Sequence, residues 1–319
     1  MNERANMNRT AFLFPGQGSQ AVGMGKDFYD HSAWAREVFS RADEILGFSL
    51  SQFCFEGPEE NLKLTQNTQP ALLVVSFVAF TLLGKEPGAA AGHSLGEYSA
   101  LVAAGALKFE DALLLVHKRG KYMQEAVPVG AGAMAAVLGM GFEEIQRGLE
   151  KIKGGTVEIA NWNSQDQIVI AGHKNAVEDA LRTLNAPRAV MLPVSAPFHT
   201  SLMKSAEEKL AADLDEVEFK DPRFPIVTNV DARIIHKATE ARDALKRQVS
   251  RPVLWHKSME VLGREAIPIF VELGSGKVLS NLMRKISRNW PQPITMLNIE
   301  NWESLEKARE ALRGALRKN

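Results

Sequence analysis

The run GHSLG at residues 92–96 constrains the fold more than any other feature of this sequence. It fits the pattern Gly-x-Ser-x-Gly, in which a strand turns sharply into a helix and exposes a serine. The flanking residues suit that context, because residues 87–91 hold a short apolar run and a helical pattern covers 97–104. The sequence therefore predicts a strand-turn-helix unit of an α/β fold, with Ser94 as a nucleophile and the Leu95 amide beside it at a helix N-terminus.

The periodicity of the remaining chain indicates two units. Up to residue 129 and again from 198, helices alternate with short apolar strands, which predicts a parallel sheet covered by helices on both faces. Between 130 and 197 the order becomes β-α-β-β-α-β, the order of the ferredoxin-like split unit. We therefore expect a discontinuous large α/β domain, 1–129 and 198–319, with an inserted ferredoxin-like domain at 130–197.

The composition limits the partners and the compartment. The 38 basic residues cancel the 38 acidic ones, so no global field attracts the chain to nucleic acid or a membrane. The longest apolar run, 71–83, falls short of the roughly 20 residues that span a bilayer, and we expect a buried helix with Pro70 in its first turn. Residues 1–10 lack the apolar run of a secretory signal. Cys54 is the only cysteine, which excludes an intrachain disulfide and fits a reducing, cytoplasmic location.

A serine nucleophile needs a base within hydrogen-bonding reach. Among seven histidines, His199 follows a predicted strand at the junction where the small domain returns the chain, and clefts form at such junctions. His93 adjoins Ser94, but neighbouring residues on an elbow diverge, so we expect it to pack beneath the turn. No acidic partner can be assigned to His199, and a backbone carbonyl is the alternative. The aspartates that follow it, each in a helix or turn context, are Asp215, Asp221 and Asp231.

Five separated motifs resemble the family of malonyl-CoA:acyl-carrier-protein transacylases. They are FPGQGSQ at 14–20, GHSLGE at 92–97, RGKYMQ at 119–124, SAPFH at 195–199 and FVELG at 270–274. Their order is that of the family, and the resemblance runs from about Thr10 to beyond Arg284. It implies an α/β-hydrolase-like large domain with an inserted ferredoxin-like small domain, in agreement with the periodicity.

The resemblance also implies roles for particular residues. Ser94 would be acylated, with His199 as its base. The backbone amides of Gln17 and Leu95 would form the oxyanion hole, and the main-chain carbonyl of Gln248 would orient His199.

A second set of implied roles concerns the acyl group. Arg119 matches the arginine that binds the malonyl carboxylate, since a planar guanidinium can hold a carboxylate by two parallel hydrogen bonds. Leu95 and Phe198 resemble the malonyl-selective pattern, although Phe198 equally suits a core position. Met123 and Asn161 are further candidates for the substrate pocket.

We therefore expect a ping-pong transfer of a malonyl group from malonyl-CoA to the phosphopantetheine thiol of acyl carrier protein, in fatty-acid biosynthesis. CoA is the first product, and no metal or other bound cofactor is required. The alternatives are a serine thioesterase or other hydrolase, a discrete acyltransferase of a polyketide pathway, and a non-catalytic subunit that binds carrier protein. Carrier proteins are typically acidic, so a basic cluster is the candidate docking surface. It consists of Arg284, Lys285 and Arg288.

Overall fold

The computed structural model describes residues 9–194 and 196–317 of the chain. Residues 1–8, which hold most of the polar N-terminal segment, and Ser195 of the fourth motif lie outside the described residues. The helices are α1 Lys26–His31, α2 Ala33–Leu46, α3 Leu50–Phe55, α4 Glu59–Lys63, α5 Thr65–Leu83, α6 Gly96–Ala103, α7 Phe109–Glu125, α8 Phe142–Leu149, α9 Lys174–Leu184, α10 Lys204–Glu216, α11 Ala238–Gln248, α12 Trp255–Arg264, α13 Val278–Ile286 and α14 Trp302–Arg317.

The larger sheet has six strands in the order β10-β9-β1-β2-β7-β8. Neighbouring strands are parallel from β10 to β7, and β8 pairs antiparallel with β7. The strands are β1 Thr10–Phe14, β2 Ala89–Gly92, β7 Ile226–Val227, β8 Ile234–Ile235, β9 Ile269–Leu273 and β10 Thr295–Ile299. The mixed α/β class that the sequence predicts is confirmed.

Alternate residues of β1 reach two different hydrophobic clusters. Phe12 and Phe14 pack into the cluster that contains the apolar residues of α5 and α6. Ala11 and Leu13 pack into the cluster formed with α12 and α13. Because successive side chains of a strand point to opposite faces, helices cover both faces of this sheet. The run of apolar residues without alternation in β1 follows from that double burial.

The smaller sheet has four antiparallel strands in the order β4-β5-β3-β6. They are β3 Gly132–Leu138, β4 Val157–Ser164, β5 Gln167–His173 and β6 Arg188–Met191. Apolar side chains of α8 and α9 share one cluster with one face of this sheet. A parallel bridge joins β4 to the large unit, since Trp162 N donates to Val253 O and Val253 N donates to Ala160 O, both at 2.9 Å.

Helix α5 corrects one expectation from the sequence. It begins at Thr65, so Pro70 lies inside the helix and not in its first turn. Pro70 has no N–H to donate to Gln66 O, and that carbonyl instead accepts a hydrogen bond from His117 Nδ1 of α7 at 2.9 Å. Helix α5 is also long and apolar enough to cross a membrane, but 78% of its most apolar window is buried inside the protein. Its apolar composition is therefore explained by burial in the hydrophobic core.

Candidate active site

Ser94 lies on the tight turn between β2 and α6, with a left-handed φ of 52°. Glycine is required on both sides of this turn. A Cβ on Gly92 would lie 1.9 Å from Gly96 O, and a Cβ on Gly96 would lie 2.0 Å from Phe14 O. The GHSLG spacing thus allows the helix to start directly against the end of β1 and holds the serine side chain at the head of α6.

Ser94 and His199 lie together, as the sequence predicts. Ser94 Oγ is 2.7 Å from His199 Nε2, and His199 Nδ1 is 2.9 Å from the main-chain oxygen of Gln248. A carbonyl oxygen can only accept, so Nδ1 carries the proton and Nε2 presents a lone pair to the serine hydroxyl. No carboxylate is needed to fix this tautomer.

His199 is almost completely buried, at 4% exposure. This burial is the main cause that lowers the pKa of His199 from 6.5 to about 3, and the positive charge of Arg119 lowers it further. The imidazole is therefore neutral at pH 7. A neutral imidazole can take a proton from a serine hydroxyl.

Asn229, which the sequence did not single out, braces the turn that carries Ser94. Its Oδ1 accepts a hydrogen bond from Ser94 N at 2.6 Å, and its Nδ2 donates to Gly92 O at 2.7 Å. The side-chain amide of Asn229 therefore bridges Gly92 and Ser94 with two hydrogen bonds and fixes the backbone of the turn. Asn229 lies in the loop after β7, and no local pattern there distinguishes it from an ordinary turn asparagine.

Arg119 of α7 reaches the same centre and is 1% exposed. Its Nη2 donates to Ser94 Oγ at 3.0 Å and to Gln248 Oε1 at 2.9 Å. Its Nη1 donates to Gln69 Oε1 at 2.7 Å. Because a guanidinium has five N–H donors, further donors are available to a ligand beside the serine.

Glu97 is fully buried behind the serine. Its Oε2 accepts hydrogen bonds from Asn229 N and from Gln248 Nε2, both at 2.9 Å. Burial raises the pKa of Glu97 from 4.5 to about 7, although both hydrogen bonds and the charge of Arg119 oppose the shift. The sequence motif contains Glu97, but the pattern assigned it no role.

A cavity of about 220 Å³ opens over Ser94. It is lined by every predicted site residue except Gln248, which contacts Arg119 and His199 from behind. The predicted residues on its wall are Gln17, Ser94, Leu95, Arg119, Met123, Asn161, Phe198 and His199. Asn161 reaches the wall from β4 of the smaller sheet, so both sheets contribute to one cleft. A larger cavity, of about 400 Å³, surrounds Trp290 and has no serine, cysteine, threonine or histidine in its wall.

The loop that follows β1 lies directly against the turn. A Cβ on Gly16 would lie 2.3 Å from His93 O, which explains why a glycine precedes Gln17. The backbone amide of Gln17 belongs to this loop, and that of Leu95 belongs to the N-terminal end of α6. Both residues line the cavity beside Ser94.

His93 differs from the expectation that it packs beneath the turn. It lines the cavity, and its Nε2 lies 2.8 Å from Asn163 Oδ1. The amide oxygen accepts, so Nε2 carries the proton, and burial is the main cause that lowers the pKa of His93. The strand β4 explains the difference, because it brings Asn163 to the imidazole from the smaller sheet.

The remaining candidates from the sequence have other partners. Asp215 pairs with Lys246, Asp221 with Lys237, and Asp231 with Arg247. None of them contacts His199. Among residues 9–194 and 196–317, no group of three or more His, Cys, Asp or Glu side chains could hold a metal ion.

The chain is similar to known proteins along most of its length. Residues 11–310 match the family model described as acyl transferase domain. The chain is 44% identical over 315 residues to the malonyl CoA-acyl carrier protein transacylase of Bacillus subtilis, covering 96% of this chain and 98% of that protein.

Solved structures give the same result. The malonyl CoA-acyl carrier protein transacylase from Coxiella burnetii has a TM-score of 0.91 at 40% identity, covering 95% of this chain and 97% of that one. A malonyl-transacylase solved in complex with its type II PKS acyl-carrier protein has a TM-score of 0.91 at 41% identity, covering 95% and 99%.

Proposed function

Since the chain belongs to the acyl transferase family, among the malonyl-CoA:acyl carrier protein transacylases, we propose that Ser94 carries the malonyl group between the two substrates. The family that the five motifs predict is confirmed. The enzyme transfers a malonyl group from malonyl-CoA to acyl carrier protein in fatty-acid synthesis. The observation that supports Ser94 as the carrier is the 2.7 Å contact between its Oγ and His199 Nε2.

The first half-reaction follows from that contact. His199 Nε2 takes the hydroxyl proton as Ser94 Oγ attacks the thioester carbonyl of malonyl-CoA. The backbone amides of Gln17 and Leu95 stabilise the oxyanion of the tetrahedral intermediate. The carbon–sulfur bond then breaks, CoA leaves with the proton from His199, and a malonyl-serine ester remains.

The second half-reaction runs the same steps in reverse with a different thiol. The phosphopantetheine thiol of acyl carrier protein gives its proton to His199 Nε2 and attacks the ester. Ser94 Oγ recovers the proton as the carbon–oxygen bond breaks. Each half-reaction balances with proton transfer alone, so the proposed mechanism uses no metal or redox cofactor.

Arg119 would bind the free carboxylate of the malonyl group. Its guanidinium is within hydrogen-bonding distance of Ser94 Oγ, the atom to which the malonyl group becomes bonded. A bidentate charge-assisted contact there favours malonyl over acetyl, which has no carboxylate.

We further assign the cleft to two domains, the discontinuous unit 1–129 and 198–319 and the inserted unit 130–197. Asn161 and Met134 from the inserted unit share the cavity wall with Met123 and Phe198. The location that we propose is the cytoplasm, where a single buried thiol at Cys54 suits the reducing conditions.

Intact mass measurements test the proposed function. Malonyl-CoA should add one malonyl group to the protein at Ser94, and addition of phosphopantetheinylated carrier protein should remove it to give malonyl-carrier protein. Release of free malonate without that product would instead identify a thioesterase. Stoichiometric labelling of Ser94 by malonyl-CoA would exclude a non-catalytic carrier-binding subunit.

A polyketide pathway is the second candidate destination of the malonyl group. It is favoured by the 41% identity to the transacylase of the type II PKS complex. Comparing transfer rates to a fatty-acid carrier protein and to a type II polyketide carrier protein distinguishes the two.

A further inference from the structure

The hydrogen bonds of Arg119 all go to uncharged oxygen atoms, and its guanidinium lies 5.6 Å from the centroid of the Tyr98 ring. Its two terminal nitrogens donate to Gln69 Oε1 and Gln248 Oε1, at 2.7 and 2.9 Å. In the described part of the chain Arg119 forms no ion pair with a carboxylate, although it is 1% exposed. Buried charges are ordinarily paired because an unpaired one loses its hydration without compensation. The arrangement is therefore a buried positive charge with no carboxylate in direct contact.

The carboxylate behind the serine is separated from Arg119 by one of these glutamines. Gln248 accepts from Arg119 with its Oε1 and donates to Glu97 Oε2 with its Nε2, at 2.9 Å in both contacts. The side-chain amide thus lies between the guanidinium and the carboxylate. Direct contact between Arg119 and Glu97 would neutralise the charge that a carboxylate substrate needs.

A glutamine and a carboxylate at the same position would orient Arg119 equally well, but they would differ in charge. An amide oxygen fixes the plane of the guanidinium and leaves its full positive charge for a ligand. A carboxylate oxygen at the same place would form a buried ion pair and compete with the malonyl carboxylate. Arg119 Nη1 carries two N–H groups and has one hydrogen-bond acceptor among the described residues, Gln69 Oε1, so a donor for the substrate remains after both glutamines are bound.

We propose that Gln69 and Gln248 are positioning residues that determine acyl specificity, because they orient Arg119 without placing a carboxylate against its guanidinium. This inference rests on the proposed function, in which Arg119 binds the malonyl carboxylate. Neither glutamine side chain acts on the reacting carbonyl. Both act through Arg119, and their lack of charge is the property that matters.

Gln69 offers the sharper test of the two. Its Nε2 has one weak contact, with Met123 Sδ at 3.9 Å, so the isosteric change Gln69→Glu removes little besides neutrality. The corresponding change at Gln248 would place a second carboxylate against Glu97. Gln69→Leu is the matched control, since it removes the contact with Arg119 without adding a charge.

The first measurement is the rate of Ser94 acylation by malonyl-CoA and by acetyl-CoA, followed by intact mass in a single turnover. For Gln69→Glu we expect malonylation to fall by about 10- to 100-fold, the range of one hydrogen bond to a charged group, while acetylation, which uses no carboxylate contact, falls less, so that the malonyl-to-acetyl ratio drops. Gln69→Leu should change the malonyl-to-acetyl ratio far less. Equal loss for both acyl groups, or an equal ratio in the two variants, would overturn the inference.

The second measurement is thermal unfolding without substrate. Gln69→Glu should raise the melting temperature because it gives the buried guanidinium a counter-ion, whereas Gln69→Leu should lower it because a buried donor loses its acceptor. A purely structural role for Gln69 predicts a loss of stability in both variants. A lower melting temperature or failure to fold in Gln69→Glu would therefore contradict the inference.

The variant Arg119→Ala separates this inference from the proposed function. If it loses the preference for malonyl while Gln69→Glu retains it, Arg119 binds the carboxylate and the glutamines do not set its charge. If the native protein forms no malonyl-serine, the proposed function itself is wrong.

Discussion

Ser94 and His199, whose side chains meet at 2.7 Å, both have left-handed backbone conformations, with φ of 52° and 61°. For residues other than glycine such conformations cost roughly 1–3 kcal/mol each and persist only where the surroundings enforce them. At Ser94 the enforcing contacts come from Asn229. At His199 the ring is held between Ser94 Oγ and Gln248 O. The strain and the hydrogen-bonded pair therefore occur at the same place.

Removal of either member of this pair should stop acylation. Ser94→Ala should give no malonyl-enzyme at all, because within the described residues Ser94 provides the hydroxyl that is hydrogen-bonded to His199 Nε2. His199→Ala should lower the acylation rate by about 10²- to 10⁴-fold, the usual contribution of a general base. Intact mass after rapid mixing with malonyl-CoA measures both. Normal labelling of Ser94→Ala would contradict the assignment of the nucleophile.

Arg119→Ala should change the choice of acyl group. We expect malonylation to fall by at least about 10-fold because a charge-assisted contact is lost. Acetyl-CoA makes no such contact, so its rate should fall less, and the malonyl-to-acetyl ratio should drop. Arg119→Lys is a useful comparison because it keeps a charge and loses the planar fork. An unchanged ratio in Arg119→Ala would show that the carboxylate binds elsewhere.

Glu97→Gln should stabilise the protein at alkaline pH. The pKa of Glu97 is raised to about 7 in the folded protein, so the native carboxyl favours folding at low pH and loses that contribution as pH rises from about 4.5 through 7. A glutamine can accept the same two hydrogen bonds without ionising. The variant should gain up to roughly 3 kcal/mol at pH 8 and nothing below pH 4.5.

Denaturant unfolding at several pH values checks the Glu97 prediction. Glu144→Gln on the exposed face of α8 serves as the control and should show no comparable pH-dependent gain. A gain for Glu97→Gln that is constant across pH would rule out ionisation as its cause.

Gly92→Ala should destabilise the turn at Ser94. The new Cβ would lie 1.9 Å from Gly96 O, a clash with backbone that no side-chain rotation can relieve. We expect a loss of about 3 kcal/mol or more in the free energy of unfolding. Gly141→Ala is the matched control because nothing lies within 4 Å of its Cβ position. Similar losses in the two variants would show that the close approach of backbone at Gly92 is unimportant.

The double variant Arg284→Ser with Lys285→Ser should slow the second half-reaction alone. Both side chains are exposed on α13, and an acidic carrier protein would be attracted to them, more strongly at low salt. Transfer from malonyl-enzyme to carrier protein should slow several-fold, while acylation by malonyl-CoA stays unchanged. Neutralising the exposed bases Lys174 and Arg182 instead controls for net charge. Equal effects of the two double variants would reject this docking surface.

The sequence predicted the parts of the site that depend on local spacing. The turn at Ser94 follows from two glycines four positions apart, and the five motifs led to Arg119 and His199. The contacts of Asn229 and Gln69 could not be predicted, because they join residues separated by 135 and 50 positions without any local pattern. Strand β8 has two residues, too few for a periodic signal, which is why it was not predicted. The prediction that Pro70 lies in the first turn of α5 is wrong because the helix begins with polar residues, ahead of the apolar run on which the prediction rested.

The position of β1 in the large sheet has a consequence for biosynthesis. This strand is hydrogen-bonded on one side to β2 and on the other to β9, which begins at Ile269. On the ribosome, the second edge of β1 therefore stays unpaired until β9 has been translated. Long-range pairing of this kind slows folding and exposes aggregation-prone surface to the cell. The sheet that carries Ser94 is therefore completed only after both members of the catalytic pair have been synthesised.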